Sequence, residues 1–187
     1  MKENKKIILD LCGGTGAWSK PYAEAGYDVR NITLPEWDLL NEKTVKYCID
    51  TKPYGILFAV ECTPWCAAAA RWWKTRTPDE ILYYSSLLVK GLRVILHTKP
   101  RFWVVENPVG KMKRFLGEPD FKFDPYEFGD PYTKRTYLWG KFKPPAKNPV
   151  EPTRTNFIWH MSPGPERKKR RSTTPSGFAK AFFEANR

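Results

Sequence analysis

The chain holds only two histidines and four cysteines among its 187 residues, a poor supply of the side chains that zinc sites use. The cysteines stand at positions 12, 48, 62 and 66, and Cys62-x-x-x-Cys66 makes no metal-like double pair. No metal is therefore expected, and the usage is that of a reduced, intracellular protein. Long apolar runs are also missing, because no stretch approaches the ~20 residues needed to cross a bilayer. Ile7-Ile8-Leu9 is broken by Asp10, which leaves the start of the chain without the apolar core of a signal peptide. No membrane association is expected, and the expected location is the cytoplasm. Acidic residues are scarce as well: 20 Asp and Glu face 32 Lys and Arg, a net charge of +12. Such an imbalance predicts a polyanionic partner, nucleic acid ahead of an anionic membrane surface, against the alternative of a merely soluble basic protein.

What is present suffices for one globular domain, since 41% of residues are apolar, while 17 prolines imply long irregular connections. Lys6 to Leu11 reads as a first strand, followed by Cys12-Gly13-Gly14-Thr15-Gly16 and a helix through Ala25 that Gly26 ends. Tyr27 to Thr33 reads as a second strand, Glu42 to Ile49 as a weak helix and Ile56 to Val60 as a buried strand. Thr77-Pro78-Asp79-Glu80 carries a helix start, with a Thr cap, Pro in the first turn and a closing Glu. Ile81, Leu82, Ser85, Leu88, Val89, Leu92, Ile95 and Leu96 then recur at helical spacing, which predicts a helix lying on the sheet and stopping before Pro100. Phe102-Trp103-Val104-Val105 reads as the next strand and Pro175 to Ala185 as a last helix with Thr174 at its cap. The alternation predicts an α/β fold, a mostly parallel sheet with helices on both faces. Residues 1–141 form the expected core, 142–171 a Pro-rich and then basic segment, and 172–187 a C-terminal helix packing back on that core.

Two strands thus end beside chemistry. Cys62 follows the third strand and Glu106-Asn107-Pro108 follows the fourth, so a thiol and a carboxylate would meet in one crevice. That pairing suits attack on an electron-poor ring held on its other side by the carboxyl group. The turn Asp10-Leu11-Cys12-Gly13-Gly14-Thr15-Gly16 matches neither G-x-G-x-x-G nor a P-loop. A short Asp-x-x-Gly-x-x-Gly turn of this kind serves S-adenosylmethionine-binding sheets, with the alternative of a plain tight turn, and Asp38 stands where an adenine ring would lie. Thr33 holds the place of the acidic residue that usually grips ribose, and Glu36 is a candidate substitute.

With these residues the chain resembles the DNA cytosine-C5 methyltransferases, above all their short, phage-type members. Asp10 to Gly16 resembles the cofactor loop, Cys62 the nucleophile position, and Glu106-Asn107-Pro108-Val109 the Glu-Asn-Val element. The stretch from Phe128 to Gly140 is similar to the strand that carries a basic catalytic residue, and Arg171-Ser172-Thr173-Thr174-Pro175 to the segment before the closing helix. The resemblance implies a Rossmann-like class I fold and a methyl transfer from S-adenosylmethionine to a cytosine flipped out of double-stranded DNA. It implies Cys62 as the nucleophile adding to C6, Glu106 as the holder of N3 and the exocyclic amine, and Arg135, with Lys134 as the alternative, on the O2 side. Asp10, Cys12, Gly13, Gly14, Gly16 and Asp38 would line the cofactor. Arg71, Lys134 and the run Arg167, Lys168, Lys169, Arg170 and Arg171 would meet nucleic acid, the run beside Trp159 and His160. It also implies a bacterial host and a gene carried by a phage or other mobile element.

The chain departs from that pattern at several points. Glu61 precedes Cys62 where the family has proline, and a neighbouring carboxylate raises a thiol pKa. Cys66 is a rival nucleophile. About 30 residues separate Trp139 from Arg171, too few for a target-recognition domain, so base readout would be weak or supplied by a separate specificity subunit. The Gln-x-x-Asn-Ser element is absent. Trp72 and Trp73 either line a nucleotide cleft or plug the core, and the basic run is either a phosphate track or a solvated loop. Action on RNA or another pyrimidine, a variant donor, and an inactive DNA-binding relative remain alternative readings. Cys48 reads as core, His97 as a helix-terminal residue, and Asp124 and Asp130 as turn residues beside prolines.

Overall fold

A computed structural model describes residues 5–155, 161, 162, 164 and 166–187. Trp159 and His160 lie outside the described residues. Six strands form one sheet in the order β2-β1-β3-β4-β6-β5. The strands are β1 (Ile7–Leu11), β2 (Asp28–Ile32), β3 (Gly55–Ala59), β4 (Phe102–Pro108), β5 (Phe121–Phe123) and β6 (Thr136–Lys141). The first four are mutually parallel, and β6 runs antiparallel to both β4 and β5. Among the described residues the helices are α1 (Lys20–Glu24), α2 (Glu42–Asp50), α3 (Pro78–Thr98), α4 (Lys113–Leu116), α5 (Arg167–Ser172) and α6 (Ser176–Asn186). Two short 3-10 turns, Ala67–Trp72 and Pro125–Phe128, join them.

A parallel sheet needs cover on both faces, and the buried residues fall into two clusters accordingly. One joins Leu9, Leu11, Ile56 and Phe58 of the sheet to Val45 and Cys48 of α2 and to Leu87, Leu88, Val94 and Ile95 of α3. The other joins Ile8, Leu57, Phe102 and Val104 to Tyr22 of α1 and to Phe178, Ala179, Phe182 and Phe183 of α6. Phe123 and Phe178 stack with ring centroids 4.0 Å apart, which fixes α6 against the antiparallel edge.

Element by element, the expected mostly parallel α/β sheet is present. The capping box at Thr77 is formed, with the Glu80 N–H donating to Thr77 Oγ1 at 3.2 Å and the Thr77 N–H to Glu80 Oε2 at 3.0 Å. Three differences have physical causes. β4 continues through Glu106-Asn107-Pro108, because those residues pair with Leu138, Tyr137 and Thr136 of β6. Thr174 does not cap α6; Pro175 holds the cap position, and the Asp130 carboxylate accepts from the Gly177 N–H at 2.9 Å and Ser176 Oγ at 3.4 Å. And α3 lies on the sheet through Leu87, Leu88, Gly91, Val94 and Ile95, while Ile81, Leu82, Val89 and Leu96 of its expected apolar face are exposed. Among the described residues no helix is long and apolar enough to cross a membrane.

Candidate active site

The strand order reverses between β1 and β3, and ligands of open α/β sheets bind beyond the carboxyl ends of strands at such a point. A cavity of about 1280 Å³ opens there. It is lined by the β1 turn, the segment after β3, the end of β4, the approach to β6 and α5.

The β1 end builds one wall. Asp10 is fully buried and accepts a 2.5 Å hydrogen bond from Ser19 Oγ, while its Oδ1 has no hydrogen-bond partner among the described residues. Burial pushes its carboxyl up to about 6, against the lowering effect of Ser19. The turn is tight: Cys12, Gly14 and Gly16 have φ of 57°, 54° and 69°. A Cβ on Gly13 would stand 2.3 Å from the Asp10 carboxyl carbon, so only glycine fits over that buried acid. Asn31 Nδ2 donates to the Gly14 carbonyl at 3.0 Å and holds the turn from β2. Asp38 is exposed at the rim and lines the same cavity, and its Oδ1 accepts from the Leu40 N–H. Gly16 faces a separate, shallower depression with Lys20 and Lys169. Cys12 is half-buried with its thiol pushed up to about 12 by burial, then by Glu61, Asp10 and Asp38.

The opposite wall carries both candidate thiols. After β3 the chain turns so that the Cys62 carbonyl accepts from the N–H groups of Trp65 and Cys66, each at 2.9 Å. The turn sets the Cys62 and Cys66 side chains near enough to influence each other's ionisation. This pair shares its ionisation. The Cys66 side chain, then burial and the charges of Glu106 and Glu61, raises Cys62. Cys66 is lowered by Cys62, with the backbone around Ala68 and Ala69 and the Arg171 charge assisting against burial. Glu61 accepts a short hydrogen bond from Thr63 Oγ1.

The loop is stitched to β4. Asn107 Nδ2 donates to the Val60 carbonyl at 3.0 Å. Beyond β4 the Ala67 N–H reaches the Val109 carbonyl at 2.8 Å, and the Lys111 N–H reaches that of Trp65 at 2.6 Å. Gly110 makes this approach feasible, because a Cβ there would lie 1.9 Å from the Trp65 carbonyl oxygen. Glu106 is half-buried in register with Ala59 of β3, and burial raises its carboxyl against the charge of Lys134.

Arg135 enters from the approach to β6. Its Nη2 lies 2.9 Å from Asp124 Oδ2, and the Lys134 N–H donates to Asp124 Oδ1 at 2.9 Å. Asp124, expected as a turn residue, is a nearly buried anchor for the basic pair; Asp130 likewise anchors α6. Such anchors are invisible in a sequence where both acids stand beside prolines. Arg76 was also missed: its side chain is 10% exposed, donates to the Thr63 carbonyl at 3.1 Å and approaches Glu80 at 3.6 Å. It clamps the residue after Cys62 to the start of α3.

The basic residues divide. Arg71, Lys134, Arg167 and Arg171 line the cavity. The run is helical as α5, not a loop, and Lys169 turns to the neighbouring depression and to Glu166 at 3.7 Å. Arg170 is exposed, outside the cavity lining, and Lys168 is described by its backbone alone. Trp72 is 53% exposed at the rim with the Arg71 guanidinium 5.0 Å from its ring centroid. Trp73 is half-buried under the Lys111 ammonium, 3.3 Å from its centroid, and outside the two core clusters. Cys48 is core, and His97 is exposed in the last turn of α3.

No family model matches the sequence, and no curated protein matches it. Solved structures do. An E. coli prophage protein described as a DNA modification methyltransferase superposes with a TM-score of 0.53 at 19% identity, over 79% of this chain and 53% of that one. The Entamoeba histolytica methyltransferase EhMeth gives 0.49 at 12% identity over 87% and 61% of the chains, and the S. pombe Dnmt2 methyltransferase 0.48 at 15% over 86% and 55%. The chain spans little more than half the length of each. Together with the sheet order and the site at its carboxyl edge, the first of these likenesses defines the architecture: the chain has the Rossmann-like α/β fold of S-adenosylmethionine-dependent methyltransferases.

Proposed function

We propose that the chain is a DNA cytosine-C5 methyltransferase that uses S-adenosylmethionine. The observation that supports this most is the meeting of Cys62, Glu106 and Arg135 around one cavity that also takes in the Asp10–Gly14 turn. The three arrive from different strands, and a chain built only to bind DNA has no need of a half-buried thiol beside a raised carboxyl group. The turn fits the donor: Asp10 Oδ1 is a buried acceptor with no hydrogen-bond donor among the described residues, and Gly13, Gly14 and Asp38 border the same space. These residues would hold S-adenosylmethionine, which supplies an electrophilic methyl group on a sulfonium.

The chain's own residues then do the rest. Cys62 sulfur, passing its proton to the Cys66 thiolate as it attacks, forms a bond to C6 of the extruded ring, and the displaced electron pair gathers at C5. Glu106, whose carboxyl burial raises against the charge of Lys134, gives a hydrogen bond to N3 in its protonated form and draws that pair into the ring. Arg135, held by Asp124, stabilises charge on the O2 side. With the donor bound, C5 would take the methyl group as the S–CH3 bond breaks and a neutral thioether leaves; loss of the C5 proton to a base then returns the electron pair that expels Cys62 as thiolate. Arg71, Arg167 and Arg171 border the entrance with positive charge suited to phosphates. In this reading residues 142–171 replace a target-recognition domain, and a separate subunit supplies base readout.

A second reading assigns the attack to Cys66. The proximity of Arg171 and the direction of ionisation within the thiol pair favour it. A short duplex containing 5-fluorocytosine, incubated with S-adenosylmethionine, separates the two. Fluorine blocks the elimination step, so a denaturation-resistant protein–DNA adduct accumulates. Loss of the adduct only in Cys62→Ala supports the proposal, and loss only in Cys66→Ala transfers the role to Cys66. No adduct despite tight binding of both DNA and donor overturns the assigned chemistry.

A further inference from the structure

Glu61 stands where a carboxylate works against the attack assigned to Cys62, because its charge adds to the effects of Cys66, burial and Glu106 that raise that thiol. The backbone holds it firmly there. On one side the Val60 carbonyl accepts from Asn107 Nδ2 at 3.0 Å, and on the other the Thr63 carbonyl accepts from the Arg76 guanidinium at 3.1 Å. The Glu61 side chain is half-buried, lines the cavity and accepts a hydrogen bond from Thr63 Oγ1 at Oε1. After burial, its charge is also the next influence raising the Cys12 thiol of the Asp10–Gly14 turn. The carboxylate thus lies within reach of both walls.

We propose that Glu61 is the base that removes the C5 proton, an inference that rests on the cytosine-C5 reading above. The Asp10–Gly14 turn and the thiol loop form opposite walls, so a ring held between them takes the methyl group on one face and carries the Cys62 sulfur on the other. With the methyl group in place, the C5 hydrogen is turned toward the sulfur face, and its acceptor has to stand beside Cys62. Among the described residues the carboxylates lining the cavity are Asp10, Asp38, Glu61, Glu106 and Asp124, and no histidine joins them. Asp10 and Asp38 belong to the donor side, Glu106 is occupied with N3, and Asp124 holds Arg135 and the Lys134 N–H. Glu61 is left beside the thiol. In the step it performs, the C5–H bond breaks and the proton passes to a Glu61 carboxylate oxygen. The freed electron pair restores the C5–C6 double bond, and the pair of the C6–S bond leaves with Cys62 as thiolate. Cys66 then returns its proton to Cys62, and Glu61 releases to solvent the one proton that methylation of a C–H position sets free. The charge that hinders the attack therefore serves the elimination.

A duplex containing ordinary cytosine, incubated with S-adenosylmethionine labelled in its methyl group, tests this. Glu61→Gln should turn over about 10²–10⁴-fold more slowly than wild type, the usual contribution of a positioned base. It should also accumulate a denaturation-resistant, methyl-labelled protein–DNA adduct that wild type does not. A second readout needs no donor. In heavy water the wild type should exchange the C5 hydrogen for deuterium, because water on the donor side supplies a deuteron to one face while Glu61 takes the hydrogen from the other. Glu61→Gln should exchange more slowly by a similar factor. Slow turnover without the labelled adduct, or exchange as fast as that of wild type, overturns the inference. So does loss of the 5-fluorocytosine adduct in Glu61→Gln, which places the residue in the attack. A wild type that forms no 5-fluorocytosine adduct instead overturns the cytosine-C5 reading, and the inference with it.

Discussion

Asn107, at 0% exposure, spans 3.0 Å to the Val60 carbonyl and so ties the end of β4 to the residue pair just before Cys62. The bond makes the position of the thiol loop depend on the strand that carries Glu106. Asn107→Ala leaves that carbonyl buried and unpaired, at a cost of about 1–3 kcal/mol. Chemical denaturation should show the loss, and adduct formation on 5-fluorocytosine DNA should slow more than donor binding weakens, because the two reacting groups lose their common reference.

Asp124 and Arg135 form a second such relationship, with one carboxylate holding both the guanidinium and the Lys134 N–H. Arg135→Ala should reduce turnover by about 10²–10³-fold, the usual loss for a removed charge-stabilising donor. Asp124→Asn should act through orientation alone, with a smaller fall, about tenfold, and little change in DNA affinity. Comparing turnover with binding for the two variants checks the distinction.

Asp10 gives a pH signature. Its folded carboxyl is raised to about 6 from an ordinary 3.8, so protonation favours the folded state. The contribution is fully present below the unfolded value and is lost as pH rises through about 6. Asp10→Asn does not titrate, so its stability relative to wild type should climb between those two values by about 3 kcal/mol and then level off. Melting curves at intervals across that window measure it. Donor binding by the variant should be weaker, because one carboxylate acceptor at the turn becomes an amide.

The Cys62–Cys66 pair should reveal itself to alkylating reagents. Cys66 is expected to react with iodoacetamide at a lower pH than an ordinary thiol, because Cys62 stabilises its anion and Arg171 lies near. Cys62→Ala removes the stronger of these influences and Arg171→Ala the weaker. Both should move the pH midpoint of Cys66 alkylation upward, Cys62→Ala further. Mass mapping of the labelled peptide reads each midpoint.

Much of the arrangement was legible because it rests on local physical rules. Short apolar runs after glycine and proline set the strands, and Thr77 to Glu80 contained every group of a capping box that forms as expected. The glycine turn, Cys62 and Glu106 lay at or near strand ends, where an open sheet presents chemistry, and all three border one cavity. The roles of Asp124, Asp130 and Arg76 were not legible. Each acts on a residue brought near by folding, and nothing in the adjoining residues signals such a partner.

The sequence by itself determined the alternation of elements, the excess of positive charge and the order of the candidate groups along the chain, since propensity, capping and composition are properties of neighbouring residues. Only the tertiary structure decided that Cys62 lies beside Cys66 in one cavity, that Arg135 is held by a buried acid, and which residues of α3 remain outside. Those outcomes depend on burial and on charges distant in sequence: Leu88 and Val89 are adjacent and equally apolar, yet packing against β3 buries one and leaves the other 60% exposed.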